Sequence, residues 1–530
     1  MATVLGVEAV APDHGRTETV GVAMKTPDQL GLPWPTWRPG QRSAIRTVLH
    51  AKTPHVVIQA PTGSGKTAIA GALSVLDERR TVVLTGTKGL QDQYANVLGN
   101  LLYDFRGMQN YECLAARDEF KAIISPRRLP LRCDHGPCHS GAHCTLKDNG
   151  CLYFDAKRSF LASSRGLTNY SCWLAQRRYG QGLGAAQGLF CDEAHTLPEQ
   201  LMAAYRIEVP NGLLDGVRAP RTVKGWRLWA EQQIAELASG SDDDTRAKRE
   251  KVIEDLKALA KIDDTWAWDM ERDQTVFEPT IPRLLLPLLH TFDKASTVVY
   301  LSATITPHTL KLLNISTSDV TFEALRSTFP RERRPVYVLL APRVDFRMTD
   351  QAKGDWIQCI ADFIDKRTDR NGIIETVSFD RAEAIWNVLH NGRNLMLHRR
   401  GVPAAVIVRQ FVSAPRGTVL ISPSVTTGFD FPYQLCEFIV IAKLPFPNTQ
   451  SYLVKARVKA TPGYRDHLTT QTLVQGCGRG MRAADDQCEV AIVDGHARWW
   501  LEQASDLLPE WFAESIVKTR RIVTPPPRLA

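Results

Sequence analysis

No run of about 18 apolar residues occurs in the chain, so no membrane-spanning helix is expected. Residues 1–30 lack the order of charged, apolar and small residues that marks a secretory signal. A strong excess of either charge is missing too: 65 Lys and Arg against 57 Asp and Glu leave +8 over 530 residues. That balance permits an acidic polymer as partner without demanding one. Cysteine does not follow the even pattern of a disulfide framework. The 11 cysteines cluster in one region and scatter elsewhere, which favours a reducing compartment and a metal site. Together these absences predict a soluble, cytoplasmic protein.

What is present is a chain long enough for roughly three to four domains, built from short apolar runs alternating with helical patterns. The stretch that organises it is Ala60-Pro61-Thr62-Gly63-Ser64-Gly65-Lys66-Thr67, after the apolar Val56-Val57-Ile58 and before a helical Ala68-Ile69-Ala70-Gly71-Ala72-Leu73. Strand, glycine turn and helix in that order make a phosphate cradle. The glycines let backbone N–H groups close on phosphates, the helix N-terminus adds its dipole, Lys66 reaches the β and γ phosphates and Thr67 holds Mg²⁺. Thr62, Gly63, Ser64 and Gly65 form the rest of the cradle; Ala60 stands where the strict pattern has glycine.

Upstream, Arg38 and Gln41 sit at the entrance of a helix carrying Ala44, Ile45, Val48 and Leu49, where they can read an adenine edge. Downstream, Gly188-Leu189-Phe190-Cys191 is an apolar strand ending in Asp192 and Glu193. Paired with a Lys-Thr phosphate loop, these acids supply what γ-phosphate hydrolysis needs: Asp192 for Mg²⁺ and Glu193 to orient and deprotonate water. Further strands are expected at 81–85, 297–301, 336–340, 372–377, 418–422, 438–442 and 489–493, which predicts two parallel α/β sheets. Between them, residues 105–155 break the rhythm with spaced cysteines, and 198–290 reads as a second, helical insertion.

Asp192-Glu193-Ala194-His195 with Ser302-Ala303-Thr304 and with Gln475-Gly476-Cys477-Gly478-Arg479-Gly480-Met481-Arg482 resembles the superfamily 2 helicases of the DEAH type. The resemblance spans most of the chain. It implies two RecA-like motor domains over 31–310 and 311–515, flanked by a flexible lead at 1–30 and a basic, Pro-rich tail at 516–530. It further implies that ATP is hydrolysed between the domains, with Arg479 and Arg482 reaching the γ phosphate and Gln475 beside them. From the residues alone, Arg479 and Arg482 are equally a basic surface.

Cys113, Cys138, Cys144 and Cys151, lying between Gln93 and Asp192, resemble the four-cysteine insertion of the XPD and DinG helicases and imply a [4Fe-4S] cluster in 103–165. From ligand chemistry alone zinc is as good a reading, since Cys133, His135, His139 and His143 lie among these cysteines. Similarity continues at Trp37–Gln41, Thr87–Gln93 and Lys443–Pro447; in Thr427-Gly428-Phe429-Asp430 threonine replaces the usual glutamate, with Asp430 expected near the nucleotide. By position only, 198–290 matches the family's arch domain. The resemblance implies a monomer that tracks 5′ to 3′ on single-stranded DNA and opens forked duplex. The alternative is a nucleic-acid-stimulated ATPase that remodels nucleoprotein without strand separation.

Overall fold

A computed structural model describes residues 24–115, 132–140, 143–238, 246–289, 296–425, 429, 431–481 and 485–518. Its strands, in chain order, are β1 (His55–Gln59), β2 (Thr81–Thr85), β3 (Tyr103–Asp104), β4 (Arg165–Asn169), β5 (Gly188–Asp192), β6 (Ile207–Pro210), β7 (Trp266–Met270), β8 (Gln274–Pro279), β9 (Thr297–Ser302) and β10 (Val320–Ala324). After the interlobe linker come β11 (Val336–Val338), β12 (Gly372–Glu375), β13 (Leu395–Leu397), β14 (Val419–Ser422), β15 (Phe438–Ile441), β16 (Glu489–Ile492) and β17 (Ile516–Lys518).

Two sheets of seven strands result, ordered β10-β1-β9-β5-β2-β4-β3 and β13-β14-β12-β15-β16-β11-β17. Every pairing within them is parallel. Parallel strands are covered on both faces, which is why they are continuous apolar runs. In the first lobe Val56, Ile58, Val83 and Leu301 pack into one core layer and Val57, Val82, Leu84 and Tyr300 into the other, the alternation a strand requires. Ile373 and Ile439 against Ile374 and Val440 do the same in the second. This is the doubled RecA-like α/β architecture that the sequence predicts.

Three features depart from expectation. The first lobe does not end at residue 310, because β10 pairs with β1 in its sheet; with only Val320 and Phe322 as large apolar residues, this edge strand leaves little trace in the sequence. The second lobe extends past 515, since β17 pairs with β11. The insertion after residue 198 is not purely helical: helices Val223–Ala238 and Arg246–Leu259 pack on an antiparallel sheet β6-β8-β7 around Trp226, Trp229, Leu256, Leu259 and Phe277. Its strands are short, and β6 alternates buried Ile207 and Val209 with exposed Glu208 and Pro210, so no apolar run announces it. Among the described residues, the cysteine segment between β3 and β4 holds 3₁₀ turns and the helix Leu152–Ala162. Among the described residues no helix is long and apolar enough to cross a membrane.

Candidate nucleotide site between the two lobes

Strand order places the site. β9 lies between β1 and β5, with Gln59 level with Ser302 and Asp192 level with Leu301. The phosphate loop, the 302–304 segment and the two acids therefore leave three adjacent strands at one carboxyl edge, where ligands bind in open parallel sheets.

The helix Lys66–Leu76 starts after Gly65, whose φ of 80° matches the 79° of Gly63. A Cβ on Gly63 would fall 2.2 Å from the Phe329 ring of the interlobe linker, so the loop tolerates no side chain there. Arg38 Nη1 donates to the Gly63 carbonyl at 2.5 Å, and buried Gln41 donates through Nε2 to the Ser64 carbonyl at 2.9 Å. These two residues, expected at an adenine edge, have their polar ends on the loop itself. The Ser64 hydroxyl is buried and has no hydrogen-bond partner among the described residues, an open donor that fits a phosphate oxygen.

Asp192 is almost fully buried and accepts from the Tyr94 hydroxyl at 2.7 Å and from the Glu193 N–H at 2.8 Å. Burial and then the charge of Glu193 push its carboxyl up. Burial acts on Glu193 the same way, but Lys66, His195 and Arg479 outweigh it and hold this carboxylate well below its ordinary range. Glu193 lies 3.7 Å from Lys66 Nζ and 3.3 Å from His195 Nδ1. Its φ of 50°, left-handed for a residue with a Cβ, bends the chain sharply at the strand end. The Tyr94 hydroxyl thus orients one of the two residues read as Mg²⁺ ligands; the sequence reading passed it over.

From Glu193 a line of contacts crosses to the other lobe. His195 Nδ1 is 2.9 Å from Ser302 Oγ, which accepts from the Thr304 N–H at 3.1 Å. Gln475 Nε2 donates to Thr304 Oγ1 at 3.2 Å and Gln471 Nε2 to the Thr304 carbonyl at 2.8 Å. Trp511 Nε1 donates to the Ala303 carbonyl at 3.0 Å. Gly478 packs against Thr62, where a Cβ would meet Oγ1 at 3.0 Å, and Arg479 follows it. Arg482, Thr427 and Asp430 lie outside the described residues.

The cysteines gather at a distance from this cleft. Cys113, Cys133 and Cys151 are buried, Cys138 and Cys144 half-buried. Burial first, then Cys151, Cys113 and Cys138, raise the Cys133 thiol; burial, then Cys144, Cys151 and Cys113, raise Cys138. Five thiols thus influence one another, Cys133, already named as an alternative donor, among them, while His135 and His143 are exposed. The donor chemistry fits a thiolate-held group, although no three His, Cys, Asp or Glu side chains among the described residues stand in ion-holding geometry.

A two-lobed engine with a triphosphate cradle on one side, two acids beside it and an arginine from the other defines the class of nucleotide-driven motors. Residues 38–126 match the DEAD/DEAH box helicase family and residues 376–515 the helicase C-terminal domain. Among solved structures, "XPD_Helicase" is 14% identical with a TM-score of 0.62, covering 91% of this chain and 100% of that one. "XPD_APO" (14%, TM-score 0.58, 90% and 99%) and the Xpd4 of S. tokodaii (14%, TM-score 0.55, 91% and 100%) are similar in fold. No curated protein sequence matches the chain. The two helicase-family segments on an XPD-like fold support a superfamily 2 helicase, and ATP and Mg²⁺ use follows from those domains.

Proposed function

We propose that this helicase translocates 5′ to 3′ on single-stranded DNA and opens forked duplex, coupling each step to ATP hydrolysis. The observation that carries the coupling is the unbroken contact line from Glu193 through His195, Ser302 and Thr304 to Gln475. Lys66 leaves Glu193 for the β and γ phosphates when ATP binds, and Thr67 and Asp192 would hold Mg²⁺, whose charge would offset that of the phosphates. Glu193, kept anionic by its cationic neighbours, accepts the proton of the attacking water. Arg479, and Arg482 with it, stabilises the charge that develops on the γ phosphate. As Glu193 changes partners, His195 and the 302–304 segment transmit the change to Gln471, Gln475 and Trp511, and the lobes shift.

DNA and polarity rest on the resemblance to the XPD and DinG helicases, and a mildly basic chain is compatible with both. The same resemblance supports a [4Fe-4S] cluster held by four of these five thiols, with Cys113, Cys138, Cys144 and Cys151 as the reading and Cys133 as the extra donor. Bound, it would crosslink a segment whose turns bury little else. The test is unwinding of 5′-tailed against 3′-tailed duplexes by the wild type, Lys66→Ala and Cys138→Ser, alongside absorption near ~400 nm of anaerobically purified protein. Opening of the 5′-tailed substrate alone, lost in both variants, is the expected result. ATP turnover stimulated by single strands without strand separation would select the remodelling ATPase instead. A colourless, zinc-containing protein would overturn the cluster.

A further inference from the structure

A second concavity, of about 420 Å³, opens where the inserted sheet meets the second lobe. One wall is the 218–221 loop ahead of helix Val223–Ala238, with Arg218, Pro220 and Arg221. The floor is Trp268 and Met270 of β7, and the far wall is Tyr452, first residue of the second-lobe helix Tyr452–Ala460. The Trp268 and Tyr452 rings lie 4.9 Å apart at 43°, and Tyr452 is 50% exposed. Arg218 and Arg221 are exposed and make no ion pair or side-chain hydrogen bond among the described residues.

Two acids of β7 and its turn, Asp269 and Glu271, are engaged elsewhere. Asp269 caps helix Tyr452–Ala460, accepting from the Tyr452 N–H at 2.6 Å, the Leu453 N–H at 3.3 Å and the Ser451 hydroxyl. Glu271 pairs with Arg206 at 3.3 Å. The same cap, together with the Arg457–Glu278 ion pair, fastens the floor of the cleft to the second lobe. What remains open is a pair of guanidinium groups over a partly exposed aromatic and thioether floor.

We infer that this cleft binds a short segment of the single-stranded nucleic acid, its phosphates on Arg218 and Arg221 and a base against Trp268 and Tyr452. The inference rests on the nucleic-acid motor reading and adds to it a contact outside the two lobes' shared cleft. Phosphate supplies the charge these arginines lack, and a base is the planar apolar group that a mixed Trp-Tyr-Met floor accepts regardless of sequence. Because Asp269 and Glu278 tie the floor to the second lobe, a strand held here moves with that lobe when the nucleotide cleft opens and closes.

The experiment is fluorescence anisotropy of a labelled oligo-dT over a salt series, with the wild type, an Arg218→Gln/Arg221→Gln double variant and Tyr452→Leu. Two lost phosphate contacts should lower the slope of log K on log salt by about 1.4 and weaken binding roughly ten- to a hundredfold at low salt. Loss of one stacked base in Tyr452→Leu should weaken binding by about five- to a hundredfold with the slope unchanged. ATP turnover without nucleic acid should stay at the wild-type rate in all variants, which also verifies folding. Wild-type affinity and slope in the double variant would overturn the cleft while leaving the motor reading standing. A wild type that binds no oligonucleotide would overturn both.

Discussion

The Tyr94 hydroxyl donates to Asp192 at 2.7 Å, with its ring fully buried in the first lobe. A hydrogen bond from a neutral donor to a carboxylate is worth about 1.5–3 kcal/mol, enough to fix which way Asp192 points before Mg²⁺ arrives. Tyr94→Phe keeps the ring and removes the bond. The expected outcome is a several-fold rise in the Mg²⁺ concentration that half-saturates ATP turnover, with a smaller effect on the rate at saturating Mg²⁺; a Mg²⁺ titration of ATPase activity checks it. An unchanged Mg²⁺ requirement would make Tyr94 a packing residue only. Sequence reasoning missed it because Gln91, Tyr94 and Leu98 together form the buried stripe of helix Lys88–Leu98, and a tyrosine in that stripe looks like core. Gly63 is the opposite case, legible from its motif alone. Gly63→Ala adds a methyl 2.2 Å from the Phe329 ring at a φ of 79°, and should abolish nucleotide binding measured with a fluorescent ATP analogue.

At the scale of elements, the strands read correctly were those buried on both faces, such as Val82-Val83-Leu84 and Phe438-Ile439-Val440, where burial forces an uninterrupted apolar run. β3, β10, β13 and β17 escaped notice because edge or near-edge strands of two to five residues need no such run. The two acids, Asp192 and Glu193, were legible for the same reason, since a run that stops at Asp192 marks a strand end. The contacts between lobes were not legible, because residues 304 and 475 meet only once both sheets are formed. One such contact carries a pH dependence. Helix Tyr464–Cys477 presses His467 onto His308 of helix Pro307–Leu312, ring centroids 5.4 Å apart. Burial, and then His308 and His195, lower His467 to about 3; Lys311 also disfavours charge on His308, and Asp466 favours it. An unfolded histidine titrates near 6.5, so between these values the unfolded chain binds the extra proton. The stabilisation is complete above pH ~6.5 and is lost as pH falls toward ~3, amounting to about 2 kcal/mol between pH 7 and 5 for this group. His467→Gln should therefore flatten the fall in melting temperature between pH 7 and 5, and scanning calorimetry across that range is the measurement.

At the scale of the whole molecule, the two lobes touch the 302–304 segment from opposite directions. The first lobe reaches it through His195 on Ser302, the second through Gln471, Gln475 and Trp511 on Ala303 and Thr304. Neither sheet needs these contacts for its own core, because Thr304 and Gln475 sit at strand and helix ends beyond the apolar layers. A Gln471→Ala/Gln475→Ala double variant should thus keep both lobes folded, with the acids, Lys66 and the phosphate loop in place, and lose the polar link that senses Glu193. Removing two hydrogen bonds of about 1 kcal/mol each shifts the balance between open and closed lobes by roughly tenfold or more. The consequence is a specific pattern: ATP turnover without nucleic acid within about threefold of wild type, stimulation by single strands reduced at least tenfold, and duplex opening lost. Labels on the two lobes read by energy transfer should show ATP closing the wild type and leaving the double variant open. A variant that hydrolyses slowly with and without nucleic acid, yet still closes, would put these glutamines in the chemistry at the γ phosphate and remove them from the linkage between lobes.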